Sequence, residues 1–284
     1  MILLDYNGIA VGTIISQKLE LNEDLIRHVI LNQVRQYRTM FKDKYGEIVV
    51  CADGPHSWRR DVYPQYKQKR RDNRAKDSTD WNEVFRILDT VREELLEFFP
   101  YKGLKIDNCE ADDIIGTLVE YTHELGNYEP VMIVSADKDF IQLHKYGNVD
   151  QYSYVTRKEV KDPNPRLYLQ TQILKGDSVD GVPNVLSDDD CFIEGRRQHP
   201  LRQKRIDEIL VDLSEGELLY AASWYRNYQR NKKLIDLSET PERLKKEIID
   251  TYEEQDKWSN KGKVFPFMVD KQLKELLKNV EEFV

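Results

Sequence analysis

Asp137 and Asp139 stand just beyond a short apolar run, Val131-Met132-Ile133-Val134, with only Ser135 and Ala136 between. Two carboxylates so placed repel each other unless a proton or a cation lies between them. More acids close other apolar runs. Asp5 ends Ile2-Leu3-Leu4, Asp53 follows Ile48-Val49-Val50-Cys51-Ala52, and Leu104-Lys105-Ile106 leads into Glu110-Ala111-Asp112-Asp113. Asp177 and Asp180 recur in Gly176-Asp177-Ser178-Val179-Asp180. Any one such acid is ordinarily a helix cap or a turn residue. A series at successive strand ends is a set of hard oxygen donors, which selects Mg²⁺ or Mn²⁺ over zinc. The five histidines show no His-x-His or His-Glu-x-x-His spacing to the contrary. So many carboxylates exceed the needs of one ion, and two ions about 3.5–4 Å apart support in-line phosphoryl displacement.

The elements that must position these acids follow from periodicity. Continuous apolar runs of four or five residues are strands buried on both faces of a parallel sheet. Acids at their carboxyl ends would converge on one rim, where open α/β sheets bind ligands. After a turn at Asn7-Gly8, Asn22 caps a helix whose apolar face runs from Leu25 to Phe41 and stops at Gly46. A second long helix spans Trp81 to Phe98 before Pro100, and a third follows Asp113 through Leu125 to Gly126. Phe140-Ile141-Gln142-Leu143 is a short helical piece, and the turn-rich stretch 145–165 holds a small hairpin. Beyond Asn164 the signals are helical, over Leu167 to Leu174 and roughly 204–229, 241–254 and 269–282, with an irregular stretch at 186–203. The expected fold is α/β, a central mostly parallel sheet flanked by helices over residues 1–163, with a helical part over 164–284.

At 40% hydrophobic and 33% charged residues, the 284-residue chain is that of a globular protein. No apolar run approaches the roughly 20 residues of a membrane span. Met1-Ile2-Leu3-Leu4-Asp5 reads as a strand rather than a signal peptide, so a cytoplasmic protein is expected. Cys51, Cys109 and Cys191 are odd in number and far apart, as reduced core thiols are. The net charge of −8 hides an asymmetry: residues 58–76 carry a local +6, which leaves −14 for the remainder. That segment interleaves Arg59, Arg60, Lys67, Lys69, Arg70 and Arg71 with Trp58, Tyr63 and Tyr66. The bland alternative is a solvated loop with its aromatics packed beneath. Bases alternating with aromatics also track a phosphate backbone and stack nucleobases, which is the favoured expectation. Its tether to Asp53 is short, which sets it over the acidic rim with a polyanion between; its polar end, to about Thr79, is expected to be mobile.

Taken in order, Asp53, Trp58-Arg59-Arg60, Tyr66-Lys67-x-x-Arg70, Glu110-Ala111-Asp112-Asp113, Ser135-x-Asp137-x-Asp139 and Gly176-Asp177-x-x-Asp180 resemble the flap endonuclease and 5′-nuclease superfamily, nearest its phage ribonuclease H members. The likeness is strong over residues 1–184 and looser beyond. It implies a PIN-like nuclease domain with a basic arch at about 54–79 and a helix-hairpin-helix-like duplex-binding part. It implies that Asp5, Asp53, Asp112 and Asp137, with Glu110, hold a first Mg²⁺, and that Asp139, Asp177 and Asp180 serve a second, with Asp113 shared and Mn²⁺ able to substitute. Lys67 and Arg70 would contact the scissile phosphate and Tyr66 would stack. The catalytic set is then Asp5, Asp53, Lys67, Arg70, Asp112, Asp137 and Asp139. The implied activity is cleavage near 5′ ends of RNA–DNA hybrids, nicked duplex and flap DNA, as in primer removal during phage DNA replication, by a monomer with a single-stranded DNA-binding protein as partner.

One departure stands out. Family members follow Gly-Asp-x-x-Asp with a glycine-rich, potassium-binding hairpin, whereas here Leu186-Ser187-Asp188-Asp189-Asp190 replaces the second glycine turn. An acidic triplet would repel phosphate, and duplex contact would pass to Arg196, Arg197, Arg202, Lys204 and Arg205. Other functions fit less well. An aspartyl phosphatase wants an acid where Asn7 stands, a nucleotide-sugar transferase leaves most of the acids idle, and a binding module without turnover needs no such acid set.

Overall fold

The computed structural model describes residues 1–124, 126, 128–193, 195–216 and 222–284. In chain order the elements are β1 (Ile2–Asp5), α1 (Tyr6–Gln17), α2 (Glu23–Tyr45), β2 (Ile48–Ala52), α3 (Arg59–Val62), α4 (Gln68–Lys76), α5 (Trp81–Phe98), β3 (Lys102–Lys105), α6 (Ala111–Glu124), β4 (Val131–Val134), β5 (Val149–Ser153), β6 (Lys158–Val160), α7 (Pro165–Lys175), α8 (Gln203–Glu215), α9 (Tyr225–Ile235), α10 (Glu242–Glu253), α11 (Val264–Asp270) and α12 (Lys274–Leu277). A 3₁₀ segment, Asp139–Tyr146, follows β4.

The contacts group these residues into two units. The first comprises Met1–His56, Asp80–Lys161 and Pro241–Val284; the second comprises Ser57–Thr79 and Asp162–Thr240. The linear division expected at residue 163 is not followed, for a reason visible in the first unit. Val264, Phe267, Met268, Leu273, Leu276 and Phe283 are buried in the same core as β1, β2 and β4, each worth roughly 1.5–3 kcal/mol. Gln255, just after α10, hydrogen-bonds both Gly103 N and Gly103 O on edge strand β3, which protects that edge from pairing elsewhere.

The sheet order is β3-β2-β1-β4-β5-β6, parallel except for the β5–β6 hairpin. The chain runs outward from β1 to β3 and then returns to place β4 on the other side of β1. The order thus reverses between β1 and β4, and ligand crevices open beyond the carboxyl ends of strands at such a reversal. The β1, β2 and β4 residues are almost all fully buried, as continuous apolar runs require.

Several local expectations change. Asn7-Gly8 is not a turn but the first turn of α1, which Asp5 caps by accepting from Gly8 N. The polar end of the basic segment, for which the sequence suggests no element, forms helix α4; it contains no Gly or Pro and several good helix formers, with a Gln68–Asp72 hydrogen bond one turn apart. The region 269–282 breaks into α11, α12 and a final 3₁₀ turn rather than one helix. The expected helix over 204–229 divides into α8 and α9, and residues 217–221 within it, like Leu125, lie outside the described residues. The helix from Asn22 to Gly46 and the hairpin within 145–165 are as expected. Cys51, Cys109 and Cys191 are buried and none forms a disulfide. Among the described residues no helix is long and apolar enough to cross a membrane.

Candidate active site

The acids of the first unit meet at the rim where the strand order reverses. Asp5 ends β1, and its carboxylate accepts from Gly8 N at 3.0 Å and from buried Ser135 Oγ at 2.7 Å. Ser135 lies one residue past β4, so this bond spans the reversal. The same hydroxyl accepts from Asp137 N at 3.0 Å, and Asp137 Oδ1 accepts from Asp139 N at 2.9 Å. Gln151 on β5 locks the loop by donating to Ser135 O and Asp137 O.

Asp53 follows β2. Its amide donates to Asn7 Oδ1 at 3.0 Å, and its Oδ1 accepts from Ala111 N at 2.9 Å, at the start of α6. Gly54 lets the two segments close. A Cβ there would lie 2.2 Å from Ile106 O and 2.9 Å from Cys109 O, so only glycine lets Gly54 N reach Cys109 O. Within α6, Asp113 is fully buried and accepts from Glu110 N at 2.9 Å. That is a helix cap, so Asp113 has a structural task whatever else it does. Asp112 is half-buried on the same first turn.

Burial first, then the charges of Asp53 and Asp137, push the Asp5 carboxyl up to about 6, against the opposing pull of its Ser135 and Gly8 hydrogen bonds. Burial and the Asp5 charge hold the Cys51 thiol well above its usual range. Burial and then Asp5 also raise the Tyr154 phenol, which donates to Gly8 O. The rim is therefore electrostatically short of positive charge, and its donor set is hard oxygen, which suits a divalent ion. The fit is incomplete in one respect. Among the described residues no three His, Cys, Asp or Glu side chains gather closely enough to hold one ion; the Asp5, Asp53 and Asp137 carboxylates each accept from a hydroxyl or amide donor. Asn7, Ser135, Gln151 and Tyr154, which organise these acids, were absent from the expected site. Asn7 was signalled only by standing two residues after Asp5 and Ser135 only by its place in Ser135-x-Asp137-x-Asp139, while Gln151 and Tyr154 carry no local signal.

The second unit holds the basic segment and the later acids. Asp177 and Val182 exchange two backbone hydrogen bonds across a tight turn, and Asp177 Oδ1 accepts from Val179 N and Asp180 N. Asp180 receives Tyr66 OH at 3.1 Å, with Lys67 Nζ at 3.5 Å from the same oxygen. Tyr63 and Tyr66 are buried among Leu169, Ile173, Val182, Leu234 and Ile235, so the expectation that Tyr66 stacks a base is corrected: its faces are already covered by protein. Arg59 is buried as well, donating Nε to Leu234 O at 2.8 Å and lying 4.9 Å from the Trp58 ring. Packing beneath the segment, the bland alternative, describes Trp58, Arg59, Tyr63 and Tyr66. Lys69 and Arg70 are exposed, Arg60 and Arg71 half-buried. Arg71 holds Tyr66 O and Gln68 Oε1, and burial, with the Arg60 charge added, lowers its guanidinium.

The acidic triplet is not a field open to repel phosphate. Asp189 pairs with Arg226 and Arg230, and Arg196 pairs with Asp188 and Asp190. Pro183 O accepts from Arg230 and Asn231, while Val185 O and Ser187 O both accept from Asn227 Nδ2. A potassium ion bound through these carbonyls would have to displace side-chain donors already in place. Of the bases expected to replace the hairpin, Arg197, Arg202 and Lys204 are exposed, and Arg205 is paired with Glu208.

With this geometry in view, the resemblances extend over the whole chain. A family model for the 5′-3′ exonuclease, N-terminal resolvase-like domain, matches residues 13–167. A second, for the C-terminal part of T4 RNase H, matches residues 164–283. Ribonuclease H of Enterobacteria phage T4 is 32% identical over 292 residues, covering 99% of this chain and 95% of that protein. Among solved structures, the T5 5′-exonuclease with bound divalent metal ions (zinc) aligns with a TM-score of 0.65 at 16% identity, over 89% of this chain and 98% of that one. The bacteriophage T5 flap endonuclease, in a complex with DNA and metal ions, aligns with a TM-score of 0.63 at 16% identity, over 89% and 99%. At that identity the two structures speak for the fold.

Proposed function

Because the chain belongs to the 5′-3′ exonuclease family, with its sheet and acids arranged as above, we propose that it is a divalent-metal-dependent hydrolase of phosphodiesters near the 5′ ends of RNA–DNA hybrids, nicked duplex and flap DNA. The observation that carries this is the rim at the strand reversal, where Ser135 Oγ donates to Asp5 and accepts from Asp137 N, and where burial, with the charges of Asp53 and Asp137 added, raises the Asp5 carboxyl to about 6. Asp5, Asp53, Asp112 and Asp137, with Glu110, are the ligands proposed for one Mg²⁺. Asp139, Asp177 and Asp180 are proposed for a second, an assignment that rests on the family resemblance alone. Mn²⁺ is proposed to substitute. When bound, such ions supply activation of water and stabilisation of the leaving oxygen.

The chain's own residues do the rest. Ser135 orients Asp5 and Asp137 together, and Asn7 and Ala111 N orient Asp53. Lys67 and Arg70 meet the scissile phosphate, and Lys69, Arg60 and Arg71 neutralise the strand beside it. The crowding of Arg60 on Arg71 is what a polyanion relieves. Removal of RNA primers during phage replication, as a monomer in the host cytoplasm beside a single-stranded DNA-binding protein, is the role proposed from the resemblance.

A second function has one observation in its favour. Since no three candidate ligands gather around one point among the described residues, a flap-binding module without turnover is the competitor. A single assay separates the two: labelled flap, nicked-duplex and RNA–DNA substrates with Mg²⁺ and with chelator. Chelator-sensitive release of 5′-phosphorylated products supports the nuclease; tight binding with every substrate intact supports the module.

A further inference from the structure

Lys67 has φ +56 and ψ 21, the left-handed region that non-glycine residues seldom adopt. Contacts to it come from far along the chain. Lys67 N donates to Asp180 O at 2.8 Å, and Lys67 Nζ lies 3.5 Å from Asp180 Oδ2. Tyr66 OH donates to that same Oδ2 at 3.1 Å. Tyr66 is 4% exposed, its ring fixed by the cluster of Tyr63, Leu169, Ile173 and Val182. On the other side the Asp177–Val182 turn fixes Asp180, whose amide is held by Asp177 Oδ1. Phenol, carboxylate and ammonium therefore form one chain of contacts, anchored at both ends by buried or tightly turned backbone. Lys67 also begins α4, so the same contacts set the direction of the helix that carries Lys69 and Arg70.

We propose that Tyr66 and Asp180 are positioning residues that act through Lys67: the Tyr66 hydroxyl holds the Asp180 carboxylate toward the Lys67 ammonium and so presents that ammonium in one orientation to the substrate phosphate. This rests on the nuclease function proposed above. Tyr66 thus has a role other than base stacking, and Asp180 a role that requires no metal. The hydroxyl contributes through geometry: it fixes Asp180 Oδ2, the oxygen that the Lys67 ammonium approaches.

The test uses the full-length protein and Tyr66→Phe, which keeps the buried ring and removes only the hydroxyl. On a 5′-labelled RNA–DNA substrate with saturating Mg²⁺, kcat is expected to fall about tenfold, as for a hydrogen bond to a charged group, with KM and the melting temperature little changed. Lys67→Ala is expected to cost more, and Tyr66→Phe added to Lys67→Ala should cost nothing further, because residues acting through one group are not additive. Equal cleavage by Tyr66→Phe and wild type, or full additivity with Lys67→Ala, overturns the inference. A readout independent of turnover accompanies these. In trace acetylation by acetic anhydride, read by mass spectrometry, Lys67 reactivity should rise several-fold in Tyr66→Phe while exposed Lys69 is unchanged. If wild type cleaves nothing, the nuclease function fails, and with it the presentation to phosphate. The labelling still decides the contact chain itself: unchanged Lys67 reactivity overturns it.

Discussion

The acid rim and the basic segment reach their positions by opposite routes. Asp5, Asp53 and Asp137 stand at or within three residues of the ends of β1, β2 and β4, so strand register alone delivers them to one edge. Tyr66 and Asp180 are 114 residues apart, and side-chain contacts bring them together. A rim built by backbone tolerates replacement of its side chains, whereas a cluster built by side chains rearranges when one is lost. Catalytic loss without structural loss is therefore expected at the rim, whereas in the second unit it is expected only where the change leaves the packed or paired side chains in place.

The largest effect tests the rim. In Asp137→Asn the retained Oδ1 can still accept from Asp139 N, so the loop should keep its form while the ligand charge disappears. Cleavage should fall on the order of 10³-fold, with the melting temperature unchanged. A matching drop in melting temperature would remove the distinction between the two regions. Next comes Arg70→Ala. Arg70 is exposed, so stability should stay within about 0.5 kcal/mol, while cleavage falls about 10²-fold. The slope of log affinity against log salt should shrink by about one phosphate contact. An unchanged slope would remove Arg70 from the substrate path.

That division also explains what the sequence disclosed. Short Val/Ile runs ending in acids imply a parallel sheet with an acidic rim, because period and composition are local properties. Asn22 and Gly46 bound α2 for the same reason. Helix α1 was hidden by Asn7-Gly8, a pair that favours turns until Asp5 caps it. The aromatics of the basic segment looked like a stacking platform because nothing local shows that Leu169, Ile173, Val182 and Leu234 cover them. Likewise the charge of Asp189 reads as unopposed in the sequence, since Arg226 and Arg230 lie well downstream. Pairings across such distances have no periodic signature, and neither did the return of residues 241–284 to the sheet unit.

Within the second unit, Asp189→Ala sharpens the contrast. Arg230 is 9% exposed and Asp189 32%, so removing the carboxylate strands a nearly buried guanidinium. A loss of about 2 kcal/mol is expected, below the full cost of breaking a buried pair because water reaches Asp189. Urea denaturation measures it. A loss under about 0.5 kcal/mol would mean that the loop is held by the Asn227 and Asn231 hydrogen bonds instead.

The smallest effect is the one whose sign is least intuitive. The folded-state carboxyl of Asp5 is raised to about 6 from an ordinary value of 3.8, so between those values the folded chain binds more protons than the unfolded chain. Stability of the metal-free protein must then fall as pH rises through that window, and above about 6 the cost is complete. Asp5→Asn removes the charge and should stabilise the metal-free protein at pH 7.5 by about 1–2 kcal/mol, since Asp5 is only half-buried and solvent screens part of the shift. Near pH 4 the two proteins should unfold together. Urea titrations in chelator at the two pH values measure the difference, and added Mg²⁺ should stabilise wild type more than the variant. A variant less stable than wild type at pH 7.5 would mean that the Ser135 and Gly8 hydrogen bonds to Asp5 outweigh the cost of burial and the added repulsion, and that the rim is a structural network before it is a binding site.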